Sequence, residues 1–170
     1  NANQCLSYKL FRDAGLPAQR CNFARVSMNG QDLGIYTNVE SVRKRFLRRH
    51  FVTGEGNLYE IQAGSDFIPD NVDLFQVKTN EAANDRSDLV PVVTALQASD
   101  ENLPGMLEQV VDLDAFLDFW ALETITGHWD SITGNANNGF VYSDPADGRF
   151  HFIPWGTDRK STRLNSSHSS

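Results

Sequence analysis

HWDSITGNANNGFVYSDPADGRFHFIPWGTD, residues 128–158, decides how the rest of the chain is read. It sets Asp130, a cluster of amides (Asn135, Asn137, Asn138) and Asp158 on loops around a tight hairpin. The hairpin strands are expected at 139–142 and 149–153, with Pro145-Ala-Asp-Gly148 as the turn. Carboxylate and amide oxygens placed this way can hold a hard cation such as Mg²⁺ and orient a hydroxyl for attack on a phosphate. The stretch reads as one half of a phosphotransfer site.

Immediately before it lies the most apolar helix pattern in the chain, Leu113–Thr126. Leu113, Phe116, Leu117, Trp120, Ala121 and Thr124 follow the i, i+3, i+4, i+7 spacing, and Phe119, Leu122 and Ile125 carry the apolar surface most of the way round. A helix of that kind is expected to lie buried at the centre of its lobe. Asp112 or Asp114 caps its start and Gly127 ends it, so Asp130 is delivered from a rigid support. Asn135 follows at D-x-x-x-x-N spacing, and Asp158 comes after the hairpin. Protein kinases place a catalytic Asp, a metal-binding Asn and a metal-binding Asp in this order. The first Asp would orient or deprotonate the attacking hydroxyl, and the Asn and last Asp would share the metal. Taken singly, each Asn reads as a turn residue, Asp130 as a turn cap and Asp158 as a loop acid. His128 is read as a hydrogen-bonded core or loop histidine and given no chemistry. With no Ser–His or Cys–His pair at a recognisable elbow, nucleophilic hydrolysis has no support in the sequence.

Upstream, residues 1–14 form a helix whose apolar face is expected from Leu6, Leu10 and Ala14, widened by Tyr8 and Phe11 and stopped by Gly15 and Pro17. Strands at 23–28 and 31–39 flank Asn29-Gly30, the dipeptide best suited to a two-residue hairpin turn. Ser41–His50 carries a basic run, but Val42, Phe46 and Leu47 make an apolar stripe, so the Arg and Lys residues are expected on an ion-paired helix face. Short strands follow at 57–62 and 74–79. A helix capped by Ser87 then carries Leu89, Val92, Val93 and Leu96 on one face, and a short one runs from Pro104 to near Val111.

The 170 residues, 40% of them hydrophobic, suffice for one good core. No apolar run approaches the ~20 residues of a membrane span. The N-terminus lacks an initiator Met, so a fragment or processed chain is expected. Arg159–Ser170 has five Ser, no acid and almost no apolar content, and is read as a non-native tail. Without its three basic residues the chain has 12 basic against 22 acidic residues, a balance of −10 that argues against nucleic-acid binding. Cys5 and Cys21 are too few for a disulfide framework or a zinc site; two buried free thiols are expected, although one bridge is geometrically feasible.

The chain resembles the CotH kinase family. The likeness lies in LFRDAGLPA (Leu10–Ala18), ARVSMNGQDLGIYTNVE (Ala24–Glu40), FLRRHF (Phe46–Phe51), GNLYE (Gly56–Glu60), HWDS (His128–Ser131) and FIPWGTD (Phe152–Asp158), and covers residues 1–158. It implies an atypical protein kinase that uses ATP and Mg²⁺ to phosphorylate Ser or Thr of protein substrates, in a bacterial spore coat, cell envelope or secreted setting. Asp130 would be the catalytic Asp, with Asn135 (Asn137 as rival) and Asp158 as metal ligands. Glu40 would be the hinge residue whose main chain meets adenine; an ion pair with the Arg-rich helix is the equal alternative. Many members read P-W-D-x-D where this chain has Gly156 for the first Asp. The family's Lys-bearing segment over the ATP phosphates precedes residue 1, so this piece alone is expected to bind ATP poorly. The expected fold is α+β, a partial kinase-like fold. Residues 1–40 belong to the nucleotide lobe, 41–158 to a helix-rich catalytic lobe and 159–170 to the tail. The alternative function is a non-catalytic pseudokinase scaffold.

Overall fold

The computed structural model describes residues 2–157, and the fold is α+β. At its centre is a four-stranded antiparallel sheet in the order β4-β3-β5-β6, from β3 (Asn57–Ile61), β4 (Gln76–Val77), β5 (Gly139–Asp144) and β6 (Arg149–Pro154). β5 lies between β3 and β6 and is buried along nearly its whole length, which its Gly-Phe-Val-Tyr sequence permits on both faces. Strand alternation sends Phe140 and Tyr142 to one side, where they join Leu58, Ile153 and the residues Val42, Phe46 and Leu47 of the α2 (Lys44–His50) region. Val141 turns to the other side, against Tyr59, Ile61, Phe75, Leu89 and Val92, the last two from α3 (Leu89–Ala95).

The basic face of α2 is ion-paired as expected. Lys44 and Arg48 both reach Glu55, at 2.8 and 2.6 Å, Arg43 lies 3.7 Å from Glu81, and Arg49 binds Glu40. Residue 88 stands at the N-cap of α3 with no side-chain cap bond, in place of the expected Ser87. Asp85 instead takes the backbone N–H and hydroxyl of Ser87. α4 (Leu103–Leu107) stops short of Val111, which pairs with Phe150 as an isolated bridge.

A separate two-stranded ribbon, β1 (Cys21–Met28) and β2 (Gln31–Val39), turns at Asn29 and Gly30, whose φ values of 52° and 80° are those the Asn-Gly reading requires. α1 (Ala2–Asp13) packs through Tyr8 and Phe11 onto Phe119 and Leu122 of α5 (Leu113–Thr126), with the Phe11 and Phe119 rings 5.5 Å apart.

Three further expectations are corrected. Leu6 and Leu10 stand outside the buried face of α1, which is Ser7, Tyr8 and Phe11. α5 is not buried all round: Phe119, Leu122 and Glu123 face inward, while Leu117, Trp120 and Ile125 are 51, 50 and 71% exposed. Among the described residues, α1 and β6 are the elements packed most closely along α5, and they leave part of its circumference open. Cys5 and Cys21 are not free thiols; they form a disulfide, because α1 and the start of β1 bring their Cα atoms within 5.2 Å. Among the described residues, no helix is long and apolar enough to cross a membrane.

Candidate functional site

The site grows out of the C-terminus of α5, whose bounds are those read from the sequence. Asp112 accepts a capping bond from Ala115 N–H at its start, and Gly127 closes its end in the left-handed conformation. Three residues later the chain turns again. Ser131 is the N-cap of the single-turn helix α6 (Ile132–Asn135), its Oγ accepting from Gly134 N–H at 3.1 Å. Gly134 is required by crowding: a Cβ there would sit 2.4 Å from the Trp129 carbonyl oxygen. Ala136 and Asn138 then take positive φ, 46° and 48°, before the chain enters β5. Asn tolerates this region; Ala pays a steric cost for it.

This folding of the loop back on itself gathers three amides around one carboxylate. Asn135 Nδ2 donates to Asp130 Oδ1 at 2.9 Å, and Asn137 Nδ2 to the same oxygen at 3.3 Å. Asn138 Nδ2 donates to Asp130 Oδ2 at 2.7 Å and to its carbonyl at 2.8 Å. Asp130 and Asn135 are therefore brought together as the spacing implied, with Asn137 also in the ring. Asn138, read from sequence only as a turn residue, makes the shortest bonds of all. Its signal was its place at the entry to a buried strand beside glycine, where a left-handed asparagine is at home. With each side-chain nitrogen donating to Asp130, each amide oxygen keeps its acceptor capacity. The donor set is oxygen alone, carboxylate plus amide, which fits a hard cation such as Mg²⁺.

Asp158 lies outside the described residues. The chain leading to it runs beside the Asn ring: a Cβ on Gly156 would meet the Asn138 side chain at 3.4 Å, and Gly156 N–H donates to Tyr8 Oη at 3.2 Å. Gly156 itself has φ +65°.

Glu40 is held as an ion pair. Its carboxylate accepts from Arg20 N–H at 3.1 Å, from the Arg20 side chain, and from Arg49. Burial pushes its pKa up, but the hydrogen bonds from Arg49 and Arg20 outweigh burial and bring it down to about 2. Its backbone N–H donates to Arg20 O at 2.9 Å. A cleft of about 390 Å³ opens beside it, lined by Arg20, Cys21, Asn22, Asn38 and Glu40.

A second cluster with metal-ligand chemistry, Asp144, Asp147 and His151, sits at the β5–β6 turn. Its carboxylates serve the turn: Asp144 accepts from Ala146 N–H and Asp147 from Arg149 N–H, both at 2.9 Å. His151 is flanked by Asp147 and Asp112. We read it as turn structure.

Sequence comparison adds to the geometry. The family described as CotH kinase protein matches residues 4–169. Invasin CotH3 of Rhizopus delemar is 25% identical over 155 residues, 82% of this chain and 26% of that protein. Inner spore coat protein H of Bacillus subtilis is 24% identical over 165 residues, 90% of this chain and 44% of that protein. Spore coat protein homolog 1 of Rhizopus delemar is 25% identical over 148 residues, 81% of this chain and 24% of that protein. The chain thus spans from about a quarter to under half of the length of these relatives.

Proposed function

The chain belongs to the CotH kinase protein family, and on that premise we propose that it carries the Asp130 half of a Mg²⁺- and ATP-dependent phosphotransferase. The acceptors are Ser or Thr hydroxyls on proteins, and the setting is a spore coat, envelope or other surface. A partial kinase-like fold, with the β1–β2 ribbon in the nucleotide lobe and the sheet and helices of 41–157 in the catalytic lobe, goes with this reading. The observation that carries it is the meeting of Asp130 and Asn135 at 2.9 Å on a loop anchored at the end of α5.

Asp130 is assigned to the acceptor hydroxyl. The amides of Asn135, Asn137 and Asn138 fix the rotation of its carboxylate, with Oδ1 accepting two of these bonds and Oδ2 one. Asn135 through Oδ1, with Asp158, is assigned to hold the metal. Mg²⁺ there would supply charge neutralisation for the phosphates. Glu40 sets the end of β2 through Arg20 and Arg49, and because its N–H is bonded to the Arg20 carbonyl, its own main-chain carbonyl is assigned to meet the adenine in the cleft beside it.

The second reading, a pseudokinase scaffold for coat or surface proteins, is favoured by Gly156, which brings no carboxylate beside Asn138. One experiment separates the two. The full-length parent protein is supplied with γ-labelled ATP and Mg²⁺, and wild type is compared with Asp130→Ala and Asp158→Ala. Loss of transfer in both variants is expected. Undiminished labelling in both would sink the kinase assignment, and a parent that binds no ATP would favour the scaffold.

A further inference from the structure

Behind the Asp130 loop lies a buried polar group that the proposed chemistry does not use. Glu123, on the inner face of α5, is 1% exposed, and His128 is 6% exposed. Glu123 Oε2 accepts from Thr133 Oγ1 at 2.6 Å and from Thr133 N–H at 3.2 Å. Its other oxygen, Oε1, lies 3.5 Å from His128 Nδ1, and the His128 backbone N–H donates to the Glu123 carbonyl at 3.0 Å. Glu123 Oε1 and both ring nitrogens of His128 are buried without a hydrogen-bond partner. Buried polar groups in native interiors are as a rule hydrogen-bonded, which marks this pair out. A cavity of about 240 Å³ adjoins them, lined also by Trp120, Trp129 and Ser131.

The connectivity says what the group does. His128 precedes Asp130 by two residues and Thr133 follows it by three, so one residue on a rigid helix grips the loop on both sides of Asp130, through its backbone carbonyl at His128 and its carboxylate at Thr133. Thr133 is also in the turn that ends at Asn135. We infer that Glu123 is a positioning residue: it clamps the 128–135 loop to α5 and so sets Asp130 and Asn135 relative to one another and to the incoming hydroxyl. The inference rests on the phosphotransfer reading of Asp130.

The test uses the full-length parent protein with Mg²⁺ and ATP. Glu123→Ala is expected to lower kcat by about 100-fold, the scale of a small misplacement of a reacting group, with KM for ATP little changed. Glu123→Gln, whose oxygen can still accept both Thr133 bonds while its amide nitrogen faces His128, is expected to recover most of kcat. Amide hydrogen exchange gives a readout independent of activity: in Glu123→Ala, Thr133, Gly134 and Asn135 should exchange faster while β5 and β6 do not. Wild-type kcat together with unchanged loop exchange overturns the clamp. If Glu123→Ala fails to fold, Thr133→Val, which removes only the hydroxyl donor, decides: a fall in kcat supports the clamp and no change overturns it. If wild type shows no transfer that Asp130→Ala abolishes, the kinase reading fails, and the exchange data still decide whether the clamp exists.

Discussion

Breaking the Cys5–Cys21 bridge gives the sharpest test of how α1 is held. The two cysteines are 16 residues apart, and the loop they close holds most of α1 and the turn into β1. In the chain-entropy account, closing a loop of this length removes about 3 kcal/mol of freedom from the unfolded chain. The native loop is ordered by other means as well. Tyr8 and Phe11 are fully buried, Arg12 reaches the Gln19 carbonyl, and Gln19 Nε2 donates to the Pro154 carbonyl at 2.8 Å. The bridge should therefore act mainly on the unfolded state, and its loss should leave the native fold intact. For a chain of this size, about 3 kcal/mol corresponds to roughly a 6–12 °C fall in Tm. Oxidised wild type, wild type with reductant, and the Cys5→Ser/Cys21→Ser double variant are to be compared by thermal and urea unfolding. The reduced protein and the double variant should coincide with each other and lie below the oxidised form. Their urea dependence should also be steeper, because an uncrosslinked chain exposes more surface on unfolding. Coincident curves for oxidised and reduced wild type, or two titratable thiols in denaturant without reductant, would refute the bridge.

Three further outcomes are expected. Glu40, whose carboxyl is held at about 2 against an ordinary 4.5, adds stability that is complete above about pH 4.5 and is lost as pH falls toward 2. With part of the Arg20 side chain in solvent, this is worth about 1–2 kcal/mol, and acid unfolding of Glu40→Gln should show a shallower slope across that window than wild type. Gly156→Asp should cost about 1 kcal/mol for a side chain at φ +65°, yet raise the Tm increment that Mg²⁺ produces, since the new carboxylate would stand beside Asn138. An increment equal to that of wild type would count against a metal at this loop. Ala136→Gly relieves the left-handed strain at φ +46° and should stabilise the fold by roughly 0.5–1 kcal/mol in urea titration; a fall in the midpoint would show that the Ala136 methyl packs usefully.

What was legible in the sequence had a local cause. Asn29-Gly30 specifies its hairpin because few other dipeptides accept φ of 52° and 80° in succession. The limits of α5 were legible because Asp112 and Gly127 satisfy its end groups within one turn. The Asp130–Asn135 meeting was legible for the same reason: one short helical turn separates them, and Ser131 caps it. The Cys5–Cys21 pairing was not, since it depends on how α1 settles against β1, and spacing alone permits either thiols or a bridge.

The exposure of α5 shows the same limit from the other side. Periodicity reports which residues a helix offers for burial, but burial also needs partners, and those come from elsewhere in the fold. α1 supplies Phe11 and Tyr8, and β6 with its neighbours supplies Phe152, so the stripe of Phe116, Phe119 and Leu122 is packed while Leu117, Trp120 and Ile125 are left outside. On the packed stripe the helix also buries Glu123, the one residue whose charge would have argued against that face. Thr133 and His128 explain the exception, because both lie on the loop that α5 has to hold. Apolar spacing predicted a support for Asp130, and the support is there. The part of it that touches the loop is a carboxylate, a contact no hydrophobic pattern encodes.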